Sequence, residues 1–126
     1  MQARLFSVLS IAAGLACASP APRGGVQRDS TVITADEVGA THESNAYDVI
    51  QLLRPNFLRS RGRTSINTAA SEYPSVFVDG QFYGDLGTLR SIIAPMIKEI
   101  RFYNGPDAVT RFGMLYGSGV IAVSTR

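Results

Sequence analysis

Four arginines lie close together in the middle of the chain and form its densest run of positive charge. They are Arg54, Arg59, Arg61 and Arg63. Guanidinium groups pair with phosphate bidentately, so these side chains could form an anion-binding patch for lipid headgroups or lipopolysaccharide phosphates. The other interpretation is a solvated loop, which is the default for a polar run of like charges.

The other side chains that could do chemistry do not form a recognisable site. His42 is the only histidine, and Cys17, the only cysteine, is either lipidated or removed with the leader, so a zinc or copper site lacks a second soft ligand. A Ser-His-Asp triad built on His42 and Asp48 would lack a nucleophile-elbow motif. The glycines within residues 113–119 precede a strand instead of a helix, so they do not predict a phosphate loop. We therefore predict no catalytic residue, no metal and no cofactor.

Residues 1–17 have the layout of a secretory signal peptide. Arg4 is followed by an apolar run that is too short to span a bilayer. Residues 14–17, Gly-Leu-Ala-Cys, resemble a bacterial lipobox with glycine where leucine is usual, and Cys17 would then be diacylated. The alternative is cleavage at a small-x-small site, which gives a soluble product that begins at Ser19.

A lone cysteine and the segment after it favour the lipoprotein. Residues 18–30 are rich in Pro, Gly, Ser and Arg without periodicity, which predicts a flexible tether. Residues 31–126 then form the folded domain. We expect an exported protein of the periplasm that is anchored to the outer membrane through Cys17.

The composition predicts one globular domain that is held together by its core alone. The chain has 126 residues, of which 45% are hydrophobic and 17% are charged, as is ordinary for globular proteins. With a single cysteine the domain has no disulfide. The formal net charge is +2 and falls to +1 when Arg4 leaves with the leader, so the charge gives no support for a nucleic-acid partner.

The N-terminal half predicts a strand, a helical turn and an amphipathic helix. Residues 31–34 form a short β-branched run, and residues 35–38 could form one helical turn. Asn45 or Ser44 can cap a helix with one apolar face. That face consists of Ala46, Val49, Ile50, Leu53 and Phe57. Pro55 disfavours helical geometry in the residue before it, so the regular helix ends there.

A polar loop and a hairpin follow this helix. Residues 59–72 have no periodicity and predict a long mobile loop. Residues 75–78 and 81–83 read as two strands. Asp79 and Gly80 between them both tolerate positive φ, which is the strongest short hairpin signal.

The rest of the chain predicts a second helix and two further strands. Thr88 can cap a helix over residues 89–94, which Pro95 stops. Residues 97–103 alternate between apolar and polar side chains, as in a strand with one buried face. Residues 120–125 are apolar at successive positions, which is typical of a strand covered on both faces.

A turn and a short helix are predicted between these two strands. Gly105 and Pro106 end the first strand. Asp107 is placed to cap a helix over residues 108–112, and Gly113 can close it with positive φ.

The C-terminal segment and the hairpin together resemble the plug domain of TonB-dependent outer-membrane receptors. The C-terminal segment matches the pattern I-x-x-I-E-V-L-x-G-P, followed by a short helix, L-Y-G and a strand ending in Thr. The matching residues are Ile97, Ile100 to Tyr103, Gly105, Pro106, Leu115, Tyr116, Gly117, Gly119, Val120, Ile121, Val123 and Thr125. The hairpin matches the pattern P-x-V-x-V-D-G. The turn residues of these motifs are Asp79, Gly80, Gly105, Pro106, Gly117 and Gly119.

The resemblance implies a small α+β, plug-like fold with a short mixed sheet, two main helices and one short helix. In receptors the plug is followed by a large β-barrel, for which this chain has no residues after Arg126. We therefore expect a non-catalytic binding or interaction module, with the sheet edge and loops as its contact surfaces. An accessory or ligand-binding factor of an outer-membrane transporter and the remnant of a receptor are the alternatives.

Partners are expected among envelope proteins or transporter components, with a membrane contact through lipidated Cys17. Residues 29–35 are similar to the energy-coupling box of the receptors, which would pair with TonB by strand addition. We prefer to interpret them as the domain's own first strand, because TonB has no transport to drive without a barrel.

Overall fold

The computed structural model describes residues 29–62 and 71–126 and gives them an α+β fold with one mixed five-stranded sheet. The strands are β1 (Val32–Thr34), β2 (Ser75–Val78), β3 (Gln81–Gly84), β4 (Ile97–Tyr103) and β5 (Val120–Thr125). The α-helices are α1 (Ala35–Thr41), α2 (Ala46–Leu53) and α3 (Gly105–Phe112). Short 3₁₀ helices cover Pro55–Leu58, Leu86–Ser91, Ala94–Met96 and Met114–Tyr116. The predicted leader, Cys17, most of the tether and Arg63 lie outside the described residues.

The first two helices begin at side-chain caps. Thr34 and Glu37 form a reciprocal capping box at the start of α1, which runs to Thr41, further than the predicted turn. The amide oxygen of Asn45 accepts the Asp48 N–H at 3.0 Å and caps α2. Of the two predicted caps, Asn45 and Ser44, the structure uses Asn45, and the prediction of a helix that ends before Pro55 is confirmed.

The predicted helix over residues 89–94 is wrong. A 3₁₀ helix begins earlier, at Leu86, because the Asp85 carboxylate accepts the Gly87 N–H at 3.0 Å and caps it. Thr88 lies inside this helix, where its hydroxyl donates to the Asp85 carbonyl oxygen at 2.6 Å. Pro95 belongs to the first turn of the next 3₁₀ helix instead of stopping a helix.

The predicted role of Gly105 and Pro106 in ending β4 also needs correction, since both are the first residues of α3. Proline suits a first helical turn, where its missing N–H has no intrahelical partner. Asn104 is the cap, because its amide oxygen accepts the Asp107 N–H at 3.1 Å. The predicted cap, Asp107, is therefore the residue whose N–H is capped, while Gly113 has the predicted positive φ, at 115°.

The sheet has the strand order β1-β4-β5-β2-β3, which places the C-terminal strand at its centre. β5 pairs antiparallel with β4 and parallel with β2. Val120, Ile121 and Val123 are all buried, so the prediction of a strand covered on both faces is confirmed. The predicted first strand and the hairpin are also confirmed, as β1 pairs with β4 and β2 with β3.

The main core lies on one face of the sheet. Helices α1 and α2 and three 3₁₀ helices supply its second layer. Its largest members include Phe57, Ile50, Leu89, Ile97, Ile100 and Ile121. The rings of Phe57 and Phe102 stack with centroids 4.9 Å apart and join the Pro55–Leu58 turn to β4.

The opposite face has a smaller cluster under α3. Phe77, Ala108 and Val120 are its buried members. Tyr103, Phe112 and Tyr116 pack around them but remain partly exposed. The C-terminal helix therefore leaves a rim of aromatic side chains in contact with solvent.

Candidate interaction surface

Five aromatic rings form a continuous surface on the face of the sheet that α3 covers. We call them the aromatic surface, and they are Phe77, Phe82, Tyr103, Phe112 and Tyr116. The Phe77 ring is central, with its centroid 4.5 Å from Phe112, 5.1 Å from Tyr116 and 5.8 Å from Phe82. Tyr103 contacts Phe112 at 5.3 Å, and Phe82 contacts Tyr116 at 6.2 Å. Rings at these separations attract one another, which fixes the surface in one arrangement.

The exposed part of this surface is strongly apolar. Phe82 is 60% exposed although it touches two other rings. Met114 and Leu115, in the same helical turn as Tyr116, are 88% and 63% exposed. Single exposed apolar residues are common on protein surfaces, whereas a contiguous group is typical of a binding surface.

The hairpin turn places Phe82 directly across from Phe77. Asp79 and Gly80 have φ values of 49° and 83°, as a two-residue hairpin turn requires. This turn sets the register in which Phe77 pairs with Phe82. Because opposite residues of paired strands share a face, both rings lie on the α3 side of the sheet.

Two close backbone approaches hold the other rings in place. A Cβ at Gly105 would lie 2.3 Å from the carbonyl oxygen of Gly117, so the start of α3 rests directly on the chain that leads into β5. Gly119 has a φ of 104°, and a Cβ there would lie 3.0 Å from the Tyr103 carbonyl oxygen. The glycines of the C-terminal motif thus meet in space and fix α3 and the Met114–Tyr116 turn against β4.

The turn carboxylate Asp79 has a second partner far away in the sequence. It accepts the Thr125 N–H at 2.9 Å and the Thr125 hydroxyl at 2.6 Å. These hydrogen bonds hold the pKa of Asp79 below its ordinary value of 3.8. The hairpin turn is therefore fastened to the end of β5. Among the motif turn residues, Asp79 is the one that also carries a defined electrostatic role.

The predicted arginine patch is divided between different partners. Arg54 forms an ion pair with Glu37 of α1 at 3.4 Å. The guanidinium group of Arg61 lies over the Phe102 ring, 4.5 Å from its centroid. The backbone N–H of Arg61 donates to the carbonyl oxygen of Glu72 at 3.0 Å. Arg59 is exposed and makes no ion pair within the described residues, and Arg63 lies outside them. The described ends of the predicted loop are thus fastened together.

Arg61 instead shares a cleft with residues that the sequence did not connect to it. This cleft of about 310 Å³ is also lined by Thr31, Arg101, Phe102 and Asn104. Arg101 pairs with Glu99 at 3.1 Å, and this hydrogen bond raises the pKa of Arg101. On the same side, Asp29 accepts the N–H and hydroxyl of Thr31, which lowers the pKa of Asp29.

The described residues contain no group of three or more His, Cys, Asp and Glu side chains that could hold a metal ion. His42 closes α1 in a left-handed conformation, with a φ of 57°. It lines a shallow depression with Glu43 and Arg126. Within residues 29–62 and 71–126, no helix is long and apolar enough to cross a membrane.

Sequence reasoning singled out the turns and missed the side chains between them. None of the five rings of the aromatic surface was predicted as a site residue. One signal was available, because a two-residue turn at Asp79 and Gly80 already places Phe82 across from Phe77. The contribution of Phe112 and Tyr116 depends on tertiary packing and has no comparable local signal.

The chain was compared with protein-family models, with curated proteins and with solved structures, and none of the three comparisons gave a match.

Proposed function

We propose that this chain is an exported, lipid-anchored envelope protein whose plug-like domain acts as a non-catalytic interaction module. The aromatic surface, whose Phe82 lies on an edge strand of the described sheet, β3, is the observation that carries the proposal. The TonB-receptor resemblance supplies the cellular setting, since the hairpin and the C-terminal motif match that family's pattern. Anchoring at Cys17 would place the module at the inner side of the outer membrane.

The aromatic surface supports protein binding for an energetic reason. Phe82 of this surface exposes apolar area, as do Met114 and Leu115 in the turn that ends at Tyr116. A partner that removes this area from water gains about 25 cal/mol of binding free energy per Å². Aromatic and methionine side chains are also enriched in protein interfaces. The rings already contact one another, so little side-chain entropy is lost when a partner covers them.

Site-specific photo-crosslinking tests this proposal. A photoreactive phenylalanine analogue at position 82 of the exported protein should give a discrete crosslinked species in intact cells of the source bacterium. The same analogue at Lys98 is the matched control, because this exposed residue is on β4, which β5 and β2 separate from β3. Crosslinks of equal yield from both positions, or none from position 82, would contradict the proposal.

The lipid anchor is tested separately by mass spectrometry of the mature N-terminus. A diacylglyceryl mass on Cys17 is expected. A mature chain that begins at Ser19 would instead establish a soluble exported product and remove the anchor from the proposal.

Binding of an anionic ligand is the second candidate function, and the cleft beside Arg61 and Arg101 favours it. Phosphate groups of lipids are the ligands that such guanidinium groups would take. Neutralising Arg61 and Arg101 together should weaken binding to anionic vesicles at low salt. Unchanged binding would remove this candidate.

A further inference from the structure

The outer side of β3 is an open sheet edge. β3 pairs with β2 and has no second neighbour among the described strands. Val78 and Gln81 flank the two-residue turn and form the hydrogen-bonded pair, so the next pair, Phe77 and Phe82, is a non-bonded one. The N–H and C=O of Phe82 therefore point away from β2, toward the space that another strand would occupy.

This edge lacks the charged and proline side chains that usually prevent strand pairing, although β3 is only four residues long and its pairing with β2 shifts by one residue at Tyr83. Natural edge strands carry lysine, proline or inward-pointing charge, whereas β3 reads Gln-Phe-Tyr-Gly. Phe82 and Tyr83 are 60% and 49% exposed and point to opposite faces of the sheet. A strand added here would gain backbone hydrogen bonds and an aromatic contact on each face.

A pocket lies at the end of this edge. It has a volume of about 270 Å³ and is lined by Tyr73, Leu86, Gly87 and the carboxylate residue Asp85. One carboxylate oxygen of Asp85 accepts the Gly87 N–H, at 3.0 Å. The other makes no hydrogen bond within the described residues. Tyr73 and Leu86 could cover the methylene stem of a lysine or arginine while Asp85 meets its charge.

The charges around β3 select against a second copy of this chain. Asp79 precedes the strand and Asp85 follows it. Two-fold pairing of β3 with itself about Phe82 would bring Asp79 of each copy opposite Asp85 of the other. Like charges at both ends oppose this arrangement, whereas a strand with basic residues at its ends is complementary to it.

We propose that the edge of β3 binds an extended segment of a partner protein by strand addition, with a lysine or arginine of that segment seated in the pocket beside Asp85. This inference rests on the proposed function, because it names the class of partner and the way in which it docks. Backbone hydrogen bonds supply the affinity, and the acidic pocket supplies the preference for basic sequences.

Synthetic peptides test the inference directly. The probe is a short labelled peptide of alternating valine and threonine with a lysine at each end, and its match has glutamate at each end. In a fluorescence-anisotropy titration of the exported protein at low salt, the basic peptide should bind at least about tenfold more tightly, a difference of about 1.4 kcal/mol. Two further peptides carry N-methyl groups on alternate amides, one on the odd-numbered and one on the even-numbered residues. Binding should be abolished in the peptide whose methylated amides are those that face β3.

Two variants separate strand addition from simple aromatic contact. Phe82→Pro removes both the ring and the outward N–H, whereas Phe82→Ala removes only the ring. Binding should be abolished in Phe82→Pro and retained at reduced affinity in Phe82→Ala, while Asp85→Asn should reduce the preference for lysine over glutamate. Urea unfolding of each variant establishes that it is folded.

Several outcomes would overturn the inference. The first is equal binding of the basic and acidic peptides, and the second is unchanged binding of both N-methylated peptides. The third is an equal loss of affinity in Phe82→Pro and Phe82→Ala, and the fourth is no binding of the basic peptide up to about 1 mM. If the basic peptide does not bind but position 82 crosslinks in cells, strand addition fails and the interaction module stands. If both fail, the proposed function fails with it.

Discussion

At the scale of single residues, Gly105 is the position of the C-terminal motif that is least tolerant of substitution. Its Cα faces the carbonyl oxygen of Gly117, and an added Cβ would lie 2.3 Å from that oxygen. The oxygen belongs to the backbone and cannot yield as a flexible side chain would, so relief requires the start of α3 and the Gly117 peptide to move apart. Gly105→Ala should therefore lower the free energy of unfolding by about 1–3 kcal/mol, as measured by urea denaturation.

The matched control is Gly39→Ala. Gly39 lies within α1, and a Cβ there would have no neighbour within 4 Å. Alanine in an exposed helix interior should stabilise by about 0.5–1 kcal/mol, so the two substitutions should have opposite signs. Equal effects would mean that the approach of Gly105 to Gly117 does not constrain the fold.

Asp79 predicts an acid-dependent loss of stability. Its hydrogen bonds to Thr125 lower its pKa in the folded state below 3.8. The charged carboxylate thus stabilises the fold above pH 3.8, and this contribution is lost as the pH falls through the lower folded-state value. Asp79→Asn keeps an acceptor and tolerates the left-handed backbone, so it should flatten the dependence of the urea midpoint on pH below about pH 4.

Thr125→Val is the companion variant. It keeps the carboxylate of Asp79 but removes the hydroxyl that donates to it at 2.6 Å. It should also flatten the dependence of the urea midpoint on pH below about pH 4. A dependence as steep as that of the wild type in both variants would contradict the role of Asp79.

Asp79 also shows which contacts a local sequence signal can predict and which it cannot. The turn could be predicted because Asp-Gly dipeptides tolerate positive φ, and both φ values are positive. The partner Thr125 could not, because it is 46 residues away and its position depends on the parallel pairing of β2 and β5. Site residues defined by tertiary contacts share this limit, as Phe112 and Tyr116 do.

At the scale of elements, the start of α3 offers a direct test of the corrected cap. Asn104→Ala removes the oxygen that accepts the Asp107 N–H and should cost about 1 kcal/mol of unfolding free energy. Asp107→Ala removes only a first-turn charge and should cost less, about 0.3–0.5 kcal/mol. Urea denaturation of both variants would contradict the cap if Asp107→Ala were the more costly.

Elements were predictable where the local signals agreed. Asn45 and Ser44 both predict a helix that starts at about Ala46, Pro55 predicts its end, and the hairpin turn fixes β2 and β3. The segment after β3 has two competing caps, Asp85 and Thr88. Asp85 forms the cap and gives a short 3₁₀ helix, because its side chain reaches the Gly87 N–H while the Thr88 hydroxyl bonds back to Asp85.

At the scale of the whole molecule, the order of the strands is what sequence patterns left open. Alternation predicted that β4 has one buried face, and successive apolar residues predicted that β5 has two. Neither pattern states which strands are neighbours. The β2–β3 hairpin joins the rest of the sheet only through β5, and the aromatic surface draws its rings from β2, β3, β4, α3 and the Met114–Tyr116 turn.

This topology predicts that the domain cannot fold without its last strand. A chain that ends at Gly119 would lack the partner of both β4 and β2, and would leave buried side chains such as Ile100, Val76 and Phe77 facing water. No other described strand could bridge β4 and β2, so the loss is not local. We expect this chain to show no cooperative urea transition by circular dichroism.

A chain that ends at Thr125 is the matched control for this truncation. It keeps all of β5 and both hydrogen bonds to Asp79, and loses only the bond from the Arg126 N–H to the Met96 carbonyl oxygen. It should unfold cooperatively with a midpoint close to that of the full chain, since one exposed terminal hydrogen bond contributes about 0.5–1.5 kcal/mol at most. A cooperative transition in the shorter chain would mean that β1 and β4 form a stable unit with α1 and α2. The central position of β5 would then complete the fold without being required for it.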